Sequence, residues 1–255
     1  MDQPFSLRGR TALVTGASSG LGAHFAHVLA GQGAAVALAA RRLDRLERLA
    51  DDIRAAGGTA APVACDVTDE ASVAAAVAAA ADALGPLDIL VNNSGITGRK
   101  PFLETSGAEW DEVLQTNLRG AFLMCREFAR AAVAAGRGGR IVNVASILGL
   151  RTMKGVVPYC TSKAGMVHMT AVLAMELGPQ GITVNALAPG YVETDLNRDF
   201  LRGPAGARIA GRVPLGRIGA AEDLDGALLL LVSDAGRFIT GVTLPVDGGH
   251  SVTSL

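Results

Sequence analysis

The sequence predicts an α/β fold: a single doubly wound domain over residues 1–255, with a parallel sheet and helices on both faces. Three observations carry this expectation. Short β-rich runs alternate with helical patterns along the chain. Hydrophobic residues make up 49% of the 255 residues and mean hydropathy is +0.34, which suits strands buried on both faces. The first strand also runs directly into a glycine-rich turn that opens a helix.

Residues 11–14 read as strand one, and 21–30 as a helix stopped by Gly31-Gln32-Gly33. Residues 35–39 are strand two, followed by a charged helix over 43–55 and a Gly57-Gly58 stop. Residues 61–65 are strand three. Thr68 or Asp69 can cap the alanine-rich helix after it, which Gly85-Pro86 ends. Residues 89–91 are strand four and 109–134 a long helical region. Residues 140–144 are strand five, and 159–177 a helix broken by Gly178-Pro179. Strand six covers 183–187, a late helix 223–231, and a last strand 242–246. Residues 193–219, with Gly203, Pro204, Gly206, Gly211 and Pro214, are the least regular stretch and are expected to form a mobile substrate loop.

Composition narrows the function. The formal charge of −1, with no basic run, argues against a nucleic-acid surface. Residues 71–83 form the longest apolar stretch, but Ser72 and Asp82 interrupt it and it is too short to span a bilayer. The N-terminus lacks the apolar core of a signal peptide. Cys65, Cys125 and Cys160 are scattered and odd in number, which predicts reduced thiols in a cytoplasmic protein. His24, His27, His168 and His250 do not cluster, so no metal site is expected.

The turn Thr15-Gly16-Ala17-Ser18-Ser19-Gly20-Leu21-Gly22 has the parts of a phosphate cradle. Gly16 can make the tight turn, Gly20 lets backbone approach a pyrophosphate, and Gly22 lets helix and sheet pack closely. The phosphates would then sit at a helix N-terminus rich in unpaired N–H groups. Strand two ends Ala39-Ala40-Arg41-Arg42, with no carboxylate to hold a ribose 2′-hydroxyl. Arg41 and Arg42 can instead fork onto a 2′-phosphate, which favours NADP over NAD, with Arg41 the better candidate. Asp66 and Val67 are placed to border the adenine. Asn93 and Gly95, in the run Asn92-Asn93-Ser94-Gly95, are placed at the adjoining ribose or strand-end crevice.

A tyrosine and a lysine four apart on a helix share a face, as Tyr159 and Lys163 do here. The ammonium is expected to lower the phenol from its ordinary pKa of about 10 toward neutrality. A phenol so tuned can exchange a proton with an alcohol. Many helices carry such a pair without function, and the glycine-rich turn at the other end of the chain gives this one weight. Cys160, beside the tyrosine, points about 100° away around a helix and reads as a bystander.

Together, Thr15–Gly22, Asn92–Gly95, Asn117, Ser146, Tyr159/Lys163, Pro189-Gly190 with Thr194, and the closing Asp247-Gly248-Gly249 resemble the short-chain dehydrogenase/reductase family, in order and over essentially the whole chain. Ser94 and Thr161 depart from residues frequent there. The resemblance implies a Rossmann fold and ketone–alcohol interconversion. Tyr159 is the proton donor, Ser146 steadies the substrate oxygen, and Lys163 holds the nicotinamide ribose. Asn117, in a helix, anchors a water on the proton path. The same resemblance assigns Pro189, Gly190, Val192 and Thr194 to the nicotinamide end. It lines the substrate pocket with Ile147, Leu148, Met153, Val156 and Tyr191, with residues 196–212 above.

Two substrate classes follow from the resemblance. Much of the chain is similar to 3-oxoacyl-thioester reductases, while residues 189–197 and 246–249 also resemble gluconate 5-dehydrogenases. Arg151, Lys154, Asn197, Arg198, Arg202 and Arg208 can meet an anionic substrate or form a solvated loop. The resemblance also implies a homotetramer, with residues 109–134 and 159–177 at one interface and the C-terminal strand at another. A different class, an NADP-binding sensor or scaffold without chemistry, keeps the fold and omits the reaction.

Overall fold

A computed structural model describes residues 4–194 and 198–253. Seven strands form one parallel sheet in the order β3-β2-β1-β4-β5-β6-β7. These are β1 (Thr11–Thr15), β2 (Ala35–Ala40), β3 (Thr59–Ala64), β4 (Ile89–Asn92), β5 (Gly139–Val144), β6 (Ile182–Pro189) and β7 (Thr243–Val246). The helices between them are α1 (Gly20–Gly31), α2 (Leu43–Ala55), α3 (Glu70–Leu84), α4 (Gly107–Leu114), α5 (Gly120–Ala134), α6 (Val157–Leu177), α7 (Arg198–Arg202), α8 (Pro204–Ala210) and α9 (Asp225–Val232). The strand order reverses between β1 and β4, which opens a crevice at the carboxyl ends of the strands.

The strands are apolar on both faces because helices cover both. Ala12 and Val14 of β1 join Phe25, Leu29, Leu46, Ile53 and Leu228 in one core. Leu13 faces the other way, onto Val73, Val77, Leu123, Met124 and Phe128. Ile141 and Val142 of β5 divide between the same two cores. One-residue slippage of any strand would exchange the faces, so two covered faces hold the register firmly.

Element boundaries differ from the sequence reading where local bonds decide them. The region 109–134 is two helices joined by a π turn at Gln115–Arg119. It starts earlier because Ser106 and Glu109 form a reciprocal cap: Glu109 N donates to Ser106 Oγ at 3.2 Å and Ser106 N donates to Glu109 Oε2 at 2.8 Å. Asp69 caps α3 by accepting from Ala71 N at 2.9 Å.

The expectation of an irregular segment over 193–219 is corrected. Residues 198–202 and 204–210 are helical, with Pro204 in the first turn of α8. Arg198 and Arg202 both donate to the Glu193 carboxylate, Arg202 Nη2 at 2.8 Å. Proline and glycine here mark helix ends and a close helix contact. Asn197 and part of the expected loop lie outside the described residues.

Candidate active site

The glycine-rich turn is built as its residues suggested. Gly16 and Gly20 adopt φ of +65° and +56°, a left-handed backbone that favours glycine. Any Cβ on Gly22 would collide with the Gly16 backbone and the Asn93 amide. Thr15 closes the turn against the loop after β4: its Oγ1 accepts from Asn93 N at 3.0 Å and Ser94 N at 3.1 Å. Asn93 Nδ2 donates back to Thr15 O at 3.1 Å, so this side chain braces the crevice wall. Sequence reasoning placed Thr15 in the turn but gave its hydroxyl no task; the available signal was a polar residue ending an apolar strand.

Ser19 caps α1 without a side-chain bond, and the first turn carries no acid. Its N–H groups and dipole therefore face the turn as an anion site. Arg42 donates to Ser18 Oγ at 2.8 Å and to Ser19 Oγ at 3.0 Å. Arg42, the second of the two arginines, is the guanidinium drawn onto the turn. Arg41 is exposed and within electrostatic reach of Asp66. Asp66 Oδ1 accepts from Thr68 N at 2.9 Å and Thr68 Oγ1 at 2.7 Å. Those bonds and then Arg41 hold its carboxyl below the usual range, despite some burial. The Val67 side chain is buried under Gly120, where it seats α5.

The predicted catalytic residues converge where β4, β5 and α6 meet. Ser146, just beyond β5, is buried, and its Oγ accepts from Leu148 N at 3.1 Å. It also bonds the Tyr159 phenol, which that bond pulls down while burial pushes it up more strongly. Lys163 is 4% exposed, and Nζ donates to Val144 O at 2.7 Å. Burial brings its pKa down to about 8. Nζ lies 5.7 Å from the Tyr159 ring centroid. The expectation that the ammonium draws the phenol toward neutrality is therefore not met here. Low-dielectric burial opposes the phenolate, and the ammonium spends its contact on a carbonyl.

Asn117 sits in the π turn, fully buried. The extra residue in that turn aims its amide inward. Oδ1 accepts from Ile96 N at 2.8 Å, and Nδ2 donates to Ile96 O at 2.9 Å and Ser162 Oγ at 3.1 Å. Both ends of the amide are thus engaged with protein. A Cβ on Gly95 would lie 3.4 Å from Asn117 Oδ1 and 3.6 Å from Lys163 Nζ, so Gly95 marks the point where these groups meet. Beneath them runs a buried polar chain that sequence reasoning did not single out. Asn92 Nδ2 donates to Asn143 Oδ1 at 2.9 Å, and Asn143 Nδ2 donates to Thr170 Oγ1 at 2.9 Å. Asparagines inside apolar strands were its signal.

The loop after β6 forms the far wall. Pro189 ends β6 in register with Val246, and Gly190 lies directly on Asp247. Val192 is buried and pairs with Gly219. Thr194 lies near Gly20, with 4.0 Å from its Cβ to a Cβ built there, so this loop closes over the phosphate turn. Ile147 and Val156 are buried, while Leu148, Met153 and Tyr191 are half-buried. Cys160, next to Tyr159 on α6, is a partly buried free thiol.

Known proteins are similar to this chain over nearly its whole length. The family described as enoyl-(acyl carrier protein) reductase matches residues 16–251. D-threitol dehydrogenase of Mycolicibacterium smegmatis is 40% identical over 252 residues, 99% of this chain and 96% of that protein. 3-Oxoacyl-(acyl-carrier-protein) reductase FabG of Pseudomonas aeruginosa is 38% identical over 244 residues, covering 96% and 98%. The crystal structure of gluconate 5-dehydrogenase from Burkholderia cenocepacia, in complex with NADP and tartrate, is 35% identical with TM-score 0.94, covering 98% of both chains.

The chain belongs to the short-chain dehydrogenase/reductase family.

As a short-chain dehydrogenase/reductase it is an oxidoreductase acting on CH–OH groups, with alcohol- or ketone-type substrates. A dinucleotide fits the residues present: the uncapped α1 N-terminus, the cradle a Cβ would fill at Gly22, and the Arg42–Ser18–Ser19 cluster. Among the described residues of this short-chain dehydrogenase/reductase, no group of three His, Cys, Asp or Glu could hold a metal, and no helix is long and apolar enough to cross a membrane.

Proposed function

We propose that this enzyme interconverts a secondary alcohol and a ketone with NADP(H), using Tyr159 as proton donor and acceptor. The supporting observation is the meeting of Ser146, Tyr159, Lys163 and Asn117 beside Gly95, at the mouth of the phosphate turn. When bound, the reduced nicotinamide supplies hydride to the carbonyl carbon. The chain supplies the remainder. Tyr159 stays protonated through the physiological range because burial raises it, so it is ready to donate to the carbonyl oxygen. Ser146 offers its hydroxyl to the same oxygen and stabilises the charge that develops there.

Lys163 holds the cofactor ribose, and Asn117 positions the Ile96 backbone and Ser162 around it. Arg42 and Arg41, with Ser18 and Ser19, favour a 2′-phosphate, hence NADP over NAD. Gly16, Gly20, Leu21, Gly22, Asp66, Val67, Asn93, Gly95, Pro189, Gly190, Val192 and Thr194 form the remaining cofactor crevice. Ile147, Leu148, Met153, Val156 and Tyr191 face the substrate, which is a 3-oxoacyl thioester, another small ketone or a sugar acid. The domain spans residues 1–255, with helices α7 and α8 covering the substrate.

We also assign a homotetramer in a reducing cytoplasm. Phe122, Val172 and Met175 on α5 and α6, and Phe238 and Val242 beside β7, leave apolar side chains exposed where two interfaces would fall. The three free cysteines accord with the compartment. Initial rates of NADPH and NADH oxidation across a ketone panel test the reading. Turnover with NADPH at least tenfold above NADH is expected; equal rates would remove the cofactor assignment, and no turnover with either would remove the function.

A further inference from the structure

Tyr191 lies beside His250 and has two guanidinium groups, of Arg99 and Arg212, within electrostatic reach. These residues come from three segments. The first carries Arg99. The neighbouring Lys100 N donates to Gly155 O at 2.8 Å, and Arg99 Cγ packs 3.4 Å from a Cβ position on Gly155, between Met153 and Val156 in sequence. The second carries Arg212, in the turn after α8. The third is the C-terminal turn with His250. Its ring lies 5.8 Å from the Tyr191 ring at 34°, and its Nδ1 is buried without a hydrogen-bond partner.

The second and third segments are joined. Leu215 N donates to Gly248 O at 3.2 Å, Val213 packs under Gly248, and Pro214 packs under Gly249. Asp247 pins the turn by accepting from Gly249 N at 2.9 Å and Ser251 N at 2.6 Å. Arg151 ties it from the other side, donating to Ser251 O at 3.1 Å.

The charges here are unbalanced. Neither Arg99 nor Arg212 has an ion-pair partner among the described residues, whereas Arg198, Arg202 and Arg217 all meet carboxylates. Both unpaired guanidinium groups act on the Tyr191 phenol, opposing the upward push of its burial. Among the described residues Tyr191 Oη donates only to the Met153 sulfur, at 3.1 Å, a weak acceptor that a substrate oxygen can displace. A phenol with a weak partner thus lies beside a ring whose buried nitrogen has none, and the exposed Arg99 and Arg212 side chains are within electrostatic reach of that phenol. Tyr191 is itself within electrostatic reach of Tyr159.

We propose that Arg99, Arg212, Tyr191 and His250 form a substrate-selecting wall that receives an anionic oxygen group at the end of the substrate remote from its carbonyl. The inference rests on the oxidoreductase reading above and adds the substrate's charge to it. Charged donors suit a carboxylate or a phosphate, and a neutral chain would leave them unpaired. The anion comes either from the carboxylate of a polyhydroxy acid or from the phosphates of a coenzyme-bound acyl thioester.

Two matched pairs test this with the full chain at saturating cofactor. D-Gluconate is compared with D-glucitol, and a 3-oxoacyl-coenzyme A with the same 3-oxoacyl group on N-acetylcysteamine. In one pair the charged member is expected to have a kcat/KM at least about tenfold higher, as a charge-assisted hydrogen bond gives. The pair that responds identifies the source. Arg99→Gln and Arg212→Gln should each lower that charged-to-neutral ratio by about tenfold. His250→Phe should lower it less, and Arg48→Gln, on the distant face of α2, should leave it alone. Equal kcat/KM within both pairs, or an unchanged ratio in both arginine variants, would overturn the wall while leaving the oxidoreductase reading intact. Calorimetric binding of D-gluconate and of coenzyme A to the enzyme with NADP gives a readout independent of turnover. Weaker binding in the arginine variants supports the wall, and equal or absent binding of both probes in wild type and variants refutes it.

Discussion

At the amino ends of the strands, the buried charge among the described residues, Asp88, has its opposite. Asp88 is buried and accepts from Thr11 N at 2.9 Å and Arg137 Nη2 at 2.5 Å, with Arg10 3.7 Å away. Arg10 and Arg140 in turn reach Asp234, at 3.1 and 3.7 Å. At the carboxyl ends, Lys163 is buried with a carbonyl for company, and Arg99 and Arg212, within electrostatic reach of Tyr191, have no ion-pair partner among the described residues. The sheet therefore neutralises the buried Asp88 at one end and leaves the buried Lys163 with a carbonyl alone at the other. The first arrangement stabilises the fold. The second leaves interactions to be completed by a bound molecule, as a site that must bind and react requires.

Substitutions at the two ends should separate activity from stability, and the largest effect belongs to the carboxyl end. Tyr159→Phe should cut turnover by about a thousandfold while cofactor binding and thermal stability stay close to wild type. Steady-state rates and NADPH fluorescence titration read the two quantities, and retention of most activity would remove the proton-donor role. Ser146→Ala should lower kcat by about a hundredfold; a change confined to KM would count against its place on the substrate oxygen.

At the amino end, Asp88→Asn should cost about 2 kcal/mol of folding stability in urea titration, because partnered guanidinium groups lose their anion. Its kcat should not change. Loss of activity without loss of stability would erase the distinction between the two ends. Arg42→Ala should weaken NADP relative to NAD by about tenfold, and more than Arg41→Ala does, by comparison of the two dissociation constants. The reverse order would restore Arg41 as the principal contact.

The smallest effect is a pH dependence. Lys163 titrates at about 8 in the folded protein, below its ordinary 10.5. Between those values the unfolded chain binds the extra proton, so this group makes stability rise with pH from about 8 and lose that contribution as pH falls through 8. Cys65 and Cys125, pushed by burial to about 11 and 12 from an ordinary 9.0, act oppositely above pH 9. The window from pH 8 to 9 should thus show a gain of up to about 1 kcal/mol in the cofactor-free protein. Lys163→Met should lack it.

The phosphate turn was legible in the sequence because glycine spacing is a backbone requirement. Positive φ at Gly16 and close packing at Gly22 exclude other residues whatever surrounds them. The alternation of strands and helices was legible for a related reason, since burial on two faces demands unbroken apolar runs. The π turn at Asn117 was not, because an inserted helical residue leaves no periodic mark over five positions. Helices α7 and α8 were hidden among prolines and glycines that bound helices as readily as they break them. Arg99, Arg212 and His250 were missed as a group because nothing in their spacing signals that they share a neighbour.

Sequence by itself determined the fold class and the glycine-rich turn, since both depend on residue type and local spacing, while the family resemblance singled out the serine, tyrosine, lysine and asparagine. Tertiary structure alone decided which arginine closes on Ser18 and Ser19, and that burial rather than the ammonium governs the Tyr159 phenol. It also decided which cations lack partners. Those properties are set by distances between groups far apart in the chain and by the dielectric around them, and only the folded packing creates either.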